Sequence, residues 1–495
     1  MNIADILSGV EYECDTDITN IDVKSLTSDK NKIADATLFV LVRGISFDTD
    51  AIIDYIIARR PIAIICDEDR SIECDIPLIK VKDARRALAL SCSNFFGVDY
   101  GKTRFIGVTG TNGKTTTASM IYEIMKHDGR RCGFIGTGKI EFMGRLLTDK
   151  VYSMTTPDPE LLYECIATMQ AQECEVIVME VSSHALSLQK VAPIPFSHSV
   201  FTNLSSEHLD FHGNMENYYK AKLSLFSQSE NGIFNADDEY SARAMKECPD
   251  TCKPTGIGIL WDADAMARDL ILNDLCGSSY IYREACLIFK VKLKVAGYYN
   301  VYNSMLALRC AISFGVRPCI AKEAISNMTG IDGRLEVIHD AVTVIIDYAH
   351  TEGAFENVLK TVNSAKRVGQ RITTVFGCGG DRDRTKRPRM AAVAERLSDL
   401  VIVTQDNPRT ESESAIICDI LEGFSTPEKR KVITSRKSAV TSAILDAEDG
   451  DIVMVLGKGH ERYNIDARGY HDYDERQIVK DALEMRRRRK DEDQA

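Results

Sequence analysis

The sequence lacks a long uninterrupted apolar run and an excess of basic charge. Its most apolar early stretch, AIIDYIIARRPIAIIC at 51–66, is broken by Asp54, Arg59, Arg60 and Pro61, so it cannot span a bilayer. The N-terminal stretch has neither the basic segment nor the apolar core of a secretory signal. The net charge of −12 argues against a large nucleic-acid footprint. We therefore expect a cytoplasmic protein that binds neither membranes nor nucleic acid.

A disulfide framework and internal repeats are also lacking. The fifteen cysteines are an odd number scattered through 495 residues, unlike the paired cysteines of a small secreted domain. Cys248 and Cys252 are close in sequence, but no second pair follows at the spacing of a zinc site. We expect reduced core thiols. The final run EMRRRRKDEDQA is typical of a solvated terminus.

Apolar strand-like runs that alternate with helical stretches are present instead. The length suits about three domains at ~150 residues each. The alternation predicts an α/β fold with mostly parallel sheets. We expect a small mixed N-terminal α/β domain at 1–99, a central P-loop mononucleotide-binding domain at 100–332 and a C-terminal Rossmann-like α/β domain at 333–495. The predicted strands lie in runs at 36–42, 61–66, 104–110, 174–180, 195–204, 342–350, 371–380, 399–409 and 451–461, and a helix is predicted at 84–96.

A glycine-rich segment, GVTGTNGKTTT at 107–117, follows one predicted strand and opens a helix. Glycines let backbone N–H groups approach phosphate oxygens, and the helix N-terminus adds positive charge. Lys114 can bridge phosphates, and the Thr115 hydroxyl can bind Mg²⁺. Because position 108 is Val, the spacing departs from the usual G-x-x-x-x-G-K-T, and a simple glycine-rich turn is the alternative. The residues predicted to bind ATP here are Gly110, Thr111, Asn112, Gly113, Lys114, Thr115 and Thr116.

A hard cation beside this loop needs oxygen ligands. Glu180 ends a predicted strand, and His208 lies in TNLSSEHLDFHG, another loop after a strand. Each alone is more simply an ordinary strand-end carboxylate or a structural histidine. The two become a magnesium site if they share one face of the sheet with Thr115.

Eleven ordered motifs between residue 100 and about residue 465 resemble those of the Mur ligases. They are GTNGKTT, TTPD, MEVSSHAL, FTNLSSEHLDFHG, YYKAKLSLF, GYYNVYN, GRLE, DYAHTEGA, FGCGGDRDRTKRP, DNPR and GKGHE. The resemblance implies an ATP- and Mg²⁺-dependent amide ligase of peptidoglycan synthesis, with 1–99 as a domain of the UDP-binding type. It also implies that a monomer adds meso-2,6-diaminopimelate to the D-glutamate of UDP-N-acetylmuramoyl-L-alanyl-D-glutamate through an acyl phosphate.

The resemblance gives Lys222 the most specific role. By residue type and position it reads as a surface helix lysine, but the family uses a lysine here as a carbamate made with CO₂. A carbamate offers oxygen ligands to a second metal. The expected catalytic residues are thus Lys114, His208 and Lys222, and the expected metal ligands are Thr115, Glu180, His208 and carbamylated Lys222.

The resemblance also places residues of the later motifs beside ATP. Arg334 of GRLE is expected to reach the nucleotide from the third domain, with Asp347 and His350 of DYAH close to it. Asn300 and Asn303 match asparagines near the base, although helix capping or a buried amide is the alternative.

The motif DNPR is typical of the branch that adds diaminopimelate. This amino acid has a second carboxylate at its far end, which lysine lacks, and Arg409 can bind it through two parallel hydrogen bonds. Asp406 and Asn407 can hold the distal ammonium. A β-turn before a solvated arginine is the alternative, and lysine stays open as the substrate. The full expected pocket is Arg382, Asp406, Asn407, Pro408, Arg409, Gly457 and Glu461.

The acyl substrate is expected at the TTPD motif and nearby. The residues assigned by resemblance are Thr155, Thr156, Ser182 and Lys190. Met154 stands where the family commonly has Asn, and Lys190 stands where it has Arg, so affinity for the muramoyl peptide is expected to differ.

The first domain departs further from the family. Lys30 and Asn31 follow Asp29 where Ser and Arg are usual after that Asp, and Ser46, Phe47 and Asp48 stand near the position of the usual D-G-H. The alternatives are a lysine-adding or otherwise divergent ligase, a folylpolyglutamate-like synthetase, and a non-catalytic nucleotide-binding regulator. TTPD, DNPR and GKGHE oppose the folate reading, and the retained Lys114, Glu180, His208 and Lys222 oppose the regulator.

Overall fold

The computed structural model describes residues 1–44, 49–148 and 154–494, with the side chains of Asp50 and 492–494 left aside. Ser46, Phe47 and Asp48 therefore lie outside the described residues. Three α/β domains follow one another along the chain, each on its own main sheet, as the sequence predicts.

The first sheet has the order β1-β5-β4-β3-β2, parallel except where β1 meets β5. Every residue of β3 is buried, as expected for an apolar strand inside a parallel sheet. The predicted strands at 36–42 and 61–66 and the helix at 84–96 are confirmed. The elements are α1 Ile3–Ile6, β1 Tyr12–Glu13, β2 Ser25–Thr27, β3 Thr37–Leu41, α2 Ile53–Ala58, β4 Ala63–Asp67, β5 Leu78–Val81 and α3 Ala84–Phe95.

The second sheet has the order β16-β15-β14-β13-β12-β11-β6-β10-β7-β8-β9. The adjacent strands β7-β10-β6-β11-β12-β13-β14 are parallel. An antiparallel extension, β8-β9 on one side and β15-β16 on the other, flanks them and was not predicted from the sequence. The strands are β6 Arg104–Thr109, β7 Cys132–Gly136, β8 Lys139–Phe142, β9 Arg145–Leu146, β10 Val176–Glu180, β11 Phe196–Phe201, β12 Ser229–Asn235, β13 Lys253–Gly258, β14 Ala265–Leu272, β15 Ser278–Glu284 and β16 Leu287–Leu293. The helices are α4 Lys114–His127, α5 Pro159–Gln170, α6 Ser183–Ser187, α7 Leu209–His212, α8 Met215–Leu223, α9 Glu239–Glu247, α10 Tyr298–Phe314 and α11 Pro318–Asn327.

The register of β6 with its two neighbours positions the site. Val108 pairs with Glu180 of β10, and Thr109 pairs with Phe201 of β11, all in parallel. The carboxyl ends of the three strands therefore meet at one edge, where ligands of such sheets bind.

The third sheet has the order β17-β18-β22-β19-β20-β21 and is parallel except for β17. Its four predicted strands are confirmed, whereas the short charged edge strand β21 was not predicted. The elements are β17 Glu336–Ile338, β18 Thr343–Asp347, α12 Glu352–Ala365, β19 Ile372–Phe376, α13 Lys386–Leu397, β20 Leu400–Val403, α14 Glu413–Leu421, β21 Arg430–Val432, α15 Arg436–Asp446, β22 Ile452–Leu456, the hairpin β23 Tyr463–Asp466 with β24 Gly469–Asp472, and α16 Glu475–Gln494.

The turn that leads into the third sheet packs against a loop of that sheet. Gly333 has φ +65°, and a Cβ there would lie 2.2 Å from the carbonyl carbon of Gly459 and 2.3 Å from the nitrogen of His460. Its carbonyl accepts the N–H of Tyr348 at 2.9 Å. The segment before β17 is thus joined to the loop after β22.

The fifteen cysteines are all free thiols, and most are buried or half-buried. The exposed ones are Cys276, Cys286, Cys319 and Cys418. Over residues 1–44, 49–148 and 154–494, no helix combines the length and apolarity that crossing a membrane requires.

Candidate active site

The phosphate loop runs from the end of β6 to the start of α4. Gly110 has φ +140°, and a Cβ there would lie 1.9 Å from the Thr202 hydroxyl oxygen. Gly113 has φ +83°, and its Cβ would lie 2.4 Å from Oδ1 of Asn303. Both positions require glycine because of conformation and space. The first turn of α4 directs unpaired N–H groups along the helix axis, which suits a phosphate.

Two lysines converge on the carbonyl oxygen of Gly110. Nζ of Lys114 lies 2.9 Å from it and 2.9 Å from the Thr111 carbonyl oxygen. Nζ of Lys222 donates to the same Gly110 oxygen at 2.8 Å and lies 4.6 Å from the centre of the Tyr218 ring. Lys222 is 1% exposed, so its interpretation as a surface helix lysine is wrong. It faces the phosphate loop.

The surroundings of Lys222 favour its neutral form. Burial, followed by the charge of Lys114, lowers its pKa well below the usual value. A neutral amine is the form that adds to CO₂, so the site fits the expected carbamate. Lys220, two positions earlier on α8, is exposed and lies 3.8 Å from Glu216.

Glu180 and Thr115 are in direct contact. Oε2 of Glu180 accepts the Thr115 hydroxyl at 2.9 Å, and Glu180 is completely buried. Thr137, which sequence reasoning missed, donates its N–H to Oε1 at 2.9 Å and its hydroxyl to Oε2 at 3.2 Å. Its position just after β7 at the same sheet edge was the available signal. The oxygen atoms of Thr115 and Glu180 are hard donors that suit Mg²⁺.

The other two expected metal ligands contact different groups. Nε2 of His208 lies 3.7 Å from Glu207, and its ring packs against His184 and Tyr218. Burial lowers the pKa of His208 to about 4, so the imidazole is neutral at pH 7, as a metal ligand must be. In the part of the chain that the structure describes, no group of three or more His, Cys, Asp or Glu is arranged to hold a metal ion.

A cavity of about 700 Å³ opens beside the phosphate loop. This volume suits a nucleotide-sized ligand. The predicted ATP residues on its wall are Asn112, Gly113, Thr116, Asn300, Arg334, Asp347 and His350, and Asn303 joins them. Tyr302 and Asn235 also line it and were not predicted.

Arg334 joins the cavity to the contact between Thr115 and Glu180. Its Nη2 donates to the Thr115 hydroxyl at 3.1 Å, and its guanidinium lies 4.6 Å from the centre of the Tyr348 ring. The buried carboxylate of Asp347 accepts the N–H groups of Leu335 at 2.6 Å and Ala349 at 2.7 Å. Asp347 therefore fixes the backbone next to Arg334.

Asn300 and Asn303 are both buried amides and cavity residues. Nδ2 of Asn300 donates to the Ala296 carbonyl at 2.7 Å, and Nδ2 of Asn303 donates to Oδ1 of Asn300 at 3.0 Å. The buried-amide interpretation is thus confirmed, and the contact with the base stays a prediction.

A second cavity of about 370 Å³ adjoins the first. The two share Ser205, Tyr348, His350 and Gly353 as wall residues. The predicted pocket residues that line the second cavity are Arg382, Asp406, Asn407, Arg409, Gly457 and Glu461, while Pro408 is buried without lining it.

Three arginines line this second cavity, Arg382, Arg389 and Arg409, and two of them are predicted pocket residues. Arg409 is half-buried with φ +53°, and its Nη1 donates to the Gly380 carbonyl at 2.8 Å. Surrounding protein atoms and the charge of Arg409 lower the pKa of Arg382. Two neighbouring guanidiniums suit a carboxylate ligand.

Acidic groups line the same cavity. Burial raises the pKa of Glu461, whereas the charges of Lys458 and Arg436 outweigh burial and lower the pKa of Asp406. Oδ1 of Asn407 already accepts Nζ of Lys458 at 2.9 Å and the N–H of Ile465 at 2.9 Å. Asn407 therefore offers an N–H group, not its oxygen, to a ligand. The distal ammonium expected beside Asn407 would instead pair with Asp406 and Glu461.

A third region, near α6, holds the residues expected to bind the acyl substrate. The Thr156 hydroxyl donates to the Glu180 carbonyl at 2.9 Å and accepts the Ser182 N–H at 3.1 Å. The hydroxyl oxygens of Thr155 and Thr137 lie 3.3 Å apart. Lys190 is buried, with Nζ 2.7 Å from Asp158. Thr155, Thr156 and Ser182 thus lie near the end of β10, whereas Lys190 pairs with the residue that precedes α5.

The divergent loop of the first domain is tied to the central domain. Oε1 of Glu160, on α5, accepts the N–H of Ser28 at 2.9 Å and its hydroxyl at 3.0 Å. Asp29 caps the short helical turn Lys30–Lys32 by accepting the Asn31 N–H. The residues that replace the usual Ser and Arg are thus held in a defined turn.

Comparison with known proteins decides the family. The Mur ligase middle domain matches residues 108–311, and the Mur ligase glutamate ligase domain matches residues 333–459. The UDP-N-acetylmuramoyl-L-alanyl-D-glutamate–2,6-diaminopimelate ligase of Clostridium perfringens is 37% identical over 98% of this chain and 100% of its own length. The chain belongs to the Mur ligase family. Mur ligases are ATP-dependent amide-forming enzymes, so this chain is an enzyme of that class.

Other relatives agree with this assignment. The ligase of the same name from Clostridioides difficile is 38% identical over 98% of this chain and 99% of its own length. A solved structure of an enzyme with that name has a TM-score of 0.68 and 28% identity, covering 98% of this chain and 99% of its own. A MurF ligase from Thermotoga maritima, solved with ADP, shares the fold with a TM-score of 0.60 and 17% identity over 95% of this chain and 99% of its own.

Proposed function

We propose that this Mur ligase adds meso-2,6-diaminopimelate to UDP-N-acetylmuramoyl-L-alanyl-D-glutamate at the expense of ATP, in peptidoglycan synthesis. The observation that carries the proposal is the second cavity, where Arg382 and Arg409 stand beside the carboxylates of Asp406 and Glu461. Such a pocket complements an amino-acid terminus that bears both a carboxylate and an ammonium. The full-length relatives with this activity in their names support the proposal.

The reaction proceeds in two steps. The D-glutamate carboxylate takes the γ-phosphoryl group of ATP, which releases ADP and leaves an acyl phosphate. The amine of diaminopimelate then attacks the acyl carbon, phosphate leaves, and the amine loses a proton as the amide forms. Both steps bring anions together, so positive charge at Lys114 and Arg334 lowers the repulsion between them.

Magnesium fits the donor set beside the phosphate loop. Thr115, Glu180, neutral His208 and the carbamate of Lys222 would hold it, and the bound ion would supply positive charge to the phosphate oxygens. The buried Glu180 carboxylate next to a hydroxyl is the supporting observation. Lys222 as carbamate would contribute the anionic oxygens that an ammonium cannot.

The remaining assignments belong to the same proposal. The acyl substrate would bind at Thr155, Thr156, Ser182 and Lys190. The domain limits would lie at 99/100 and 332/333, since β6 begins at Arg104 and β17 at Glu336. We propose a monomer that works in the cytoplasm on small molecules, without a nucleic-acid or membrane partner.

The test is release of phosphate from ATP with the UDP-linked dipeptide and diaminopimelate, lysine or glutamate in parallel. We expect release that depends on both the dipeptide and diaminopimelate. Preferred use of lysine would make the protein a lysine-adding ligase instead. Use of glutamate with a folate acceptor, or binding of ATP without any turnover, would overturn the proposal.

A further inference from the structure

Lys458 lies beneath the amino-acid pocket and has no assigned role in the mechanism above. It is completely buried, and it follows Gly457, which lines the cavity. Its Nζ lies 2.9 Å from Oδ1 of Asn407, 3.2 Å from Oε2 of Glu461 and 3.8 Å from Oδ1 of Asp406. One ammonium therefore contacts three residues of the predicted pocket from behind.

Lys458 belongs to a layer of charged side chains beneath the pocket, here called the pocket floor. The neighbouring carboxylates are Asp406, Glu461 and Glu475, and the neighbouring cations are Lys458 and Arg436. Three of these groups are negative and two are positive, and the guanidinium of Arg409 also acts on Asp406. Oε2 of Glu461 accepts from two donors, Nζ of Lys458 and Nδ2 of Asn407, as an ionised carboxylate does. The carboxylates of the floor can thus pair with the ammonium of a ligand.

Lys458 also fixes the direction of the Asn407 amide. Oδ1 of this amide receives Lys458 and the N–H of Ile465, both at 2.9 Å. Nδ2 gives one hydrogen to Glu461 at 2.8 Å. The second amide hydrogen is then available on the side chain that lines the cavity, so Asn407 presents a donor.

We propose that Lys458 is a positioning residue that adapts the pocket floor to a zwitterionic amino-acid terminus by limiting its negative charge and fixing Asn407 as a donor. This inference rests on the proposed function and identifies a residue that favours diaminopimelate over lysine as the substrate. Without the ammonium of Lys458, the floor carries one more net negative charge. A distal carboxylate is then repelled and loses its amide donor, whereas the purely cationic distal end of lysine is not penalised in this way.

The experiment compares Lys458→Met and Lys458→Gln with Lys366→Met. Gln removes the charge but keeps an N–H donor near Asn407, and it serves if Met disturbs folding. Lys366 is a matched control, since its Nζ also pairs with a carboxylate of the third domain, Asp399, at 2.7 Å, and it does not line the pocket. Thermal unfolding and the KM for ATP report on folding in each variant.

We expect Lys458→Met to raise the KM for diaminopimelate by about tenfold or more, because a charge-assisted contact and a fixed donor are lost. The ratio of kcat/KM for diaminopimelate to kcat/KM for lysine should also fall by about tenfold. The KM for ATP should change less than about twofold. Lys458→Gln should lose selectivity with a smaller rise in KM. Lys366→Met should behave as the unchanged protein.

Two outcomes are distinguishable. If the unchanged protein shows no diaminopimelate-dependent turnover, the proposed function fails first. If it turns over and both Lys458 variants keep the selectivity for diaminopimelate over lysine, or lose activity with both amino acids and with ATP equally, the positioning role is overturned.

Discussion

At the scale of single residues, burial separates side chains that the sequence makes equivalent. Lys220 and Lys222 lie on the same helix, yet only Lys222 reaches the carbonyl of Gly110, 112 positions away. Its environment is built from the phosphate loop and from Lys114. We predict that the buried Lys222 takes part in the reaction, whereas Lys220 forms a surface pair with Glu216.

Replacing Lys222 by Ala should abolish turnover, because the carbamate oxygens are lost with the side chain. A short carboxylic acid such as acetate should restore part of the activity by occupying the space with an anion. Phosphate release measured with and without added acid tests this. Lys220→Ala is the control and should retain activity. Full activity of the Lys222 variant would contradict the carbamate role.

Replacing Arg409 by Ala should raise the KM for diaminopimelate far more than the KM for ATP. A charge-assisted hydrogen bond contributes about 1.5–3 kcal/mol, which corresponds to roughly 10- to 150-fold. Steady-state kinetics with each substrate varied gives both constants. Arg396, which is exposed and paired with Glu356, provides the control substitution to Ala. Equal effects on the two KM values would remove Arg409 from the pocket.

At the scale of elements, the strands that end at the site were predictable because they are short apolar runs followed by glycine or polar residues. The runs that contain β6, β10 and β22 are of this kind. The strands β14 to β16, which pair antiparallel with one another, were not predictable. Residues 265–293 mix exposed and buried positions, and no residues clearly mark where each strand ends. The contacts of Lys458 were also hidden, because a buried lysine between two glycines has no local pattern that predicts its partners.

Gly113 and Gly129 at the two ends of α4 allow a matched test of the phosphate loop. Both have φ +83°, but a Cβ at Gly113 would lie 2.4 Å from Asn303, whereas none lies within 4 Å at Gly129. Alanine at either site should cost about 1–2 kcal/mol in backbone strain. Only Gly113→Ala should also raise the KM for ATP, since Asn303 and the loop must shift. Thermal unfolding and ATP kinetics separate the two effects, and an equal rise in KM would contradict this account of the loop.

At the scale of the whole molecule, the three α/β units and their order along the chain were predictable, and the resemblance placed Arg334 near the nucleotide. The particular side-chain contacts between domains were not predictable. Arg334 meets Thr115 across 219 positions, and Glu160 meets Ser28 across 132. No local pattern encodes such distances. The limits of the domains and the roles of the site residues stay predictions that the proposed experiments address.

Acid should destabilise the central sheet through His198 of β11. Burial, followed by the charge of Arg104, lowers the pKa of His198 to about 4. Because the unfolded chain binds a proton near pH 6.5, the stability is fully present above that pH and is lost as the pH falls towards 4. The full shift corresponds to about 3 kcal/mol. His198→Asn should therefore show a flatter fall of the unfolding temperature between pH 7 and pH 5.

The matched control for this pH effect is His339→Asn, since His339 is exposed. Its unfolding temperature should fall with pH as steeply as that of the unchanged protein. An unaltered slope in His198→Asn would show that other groups dominate acid unfolding.

The close packing of Gly333 on the loop after β22 has a consequence for engineering and for evolution by recombination. Gly333, which precedes Arg334 and its proposed nucleotide contact, packs through backbone atoms on Gly459 and His460, within the segment 457–461 that is proposed to bind the amino acid. A chimaera that borrows amino-acid selectivity from another ligase must import everything from residue 333 onward. A crossover placed between residue 333 and the loop after β22 would combine the turn of one protein with the loop of another. The two segments would then no longer pack closely.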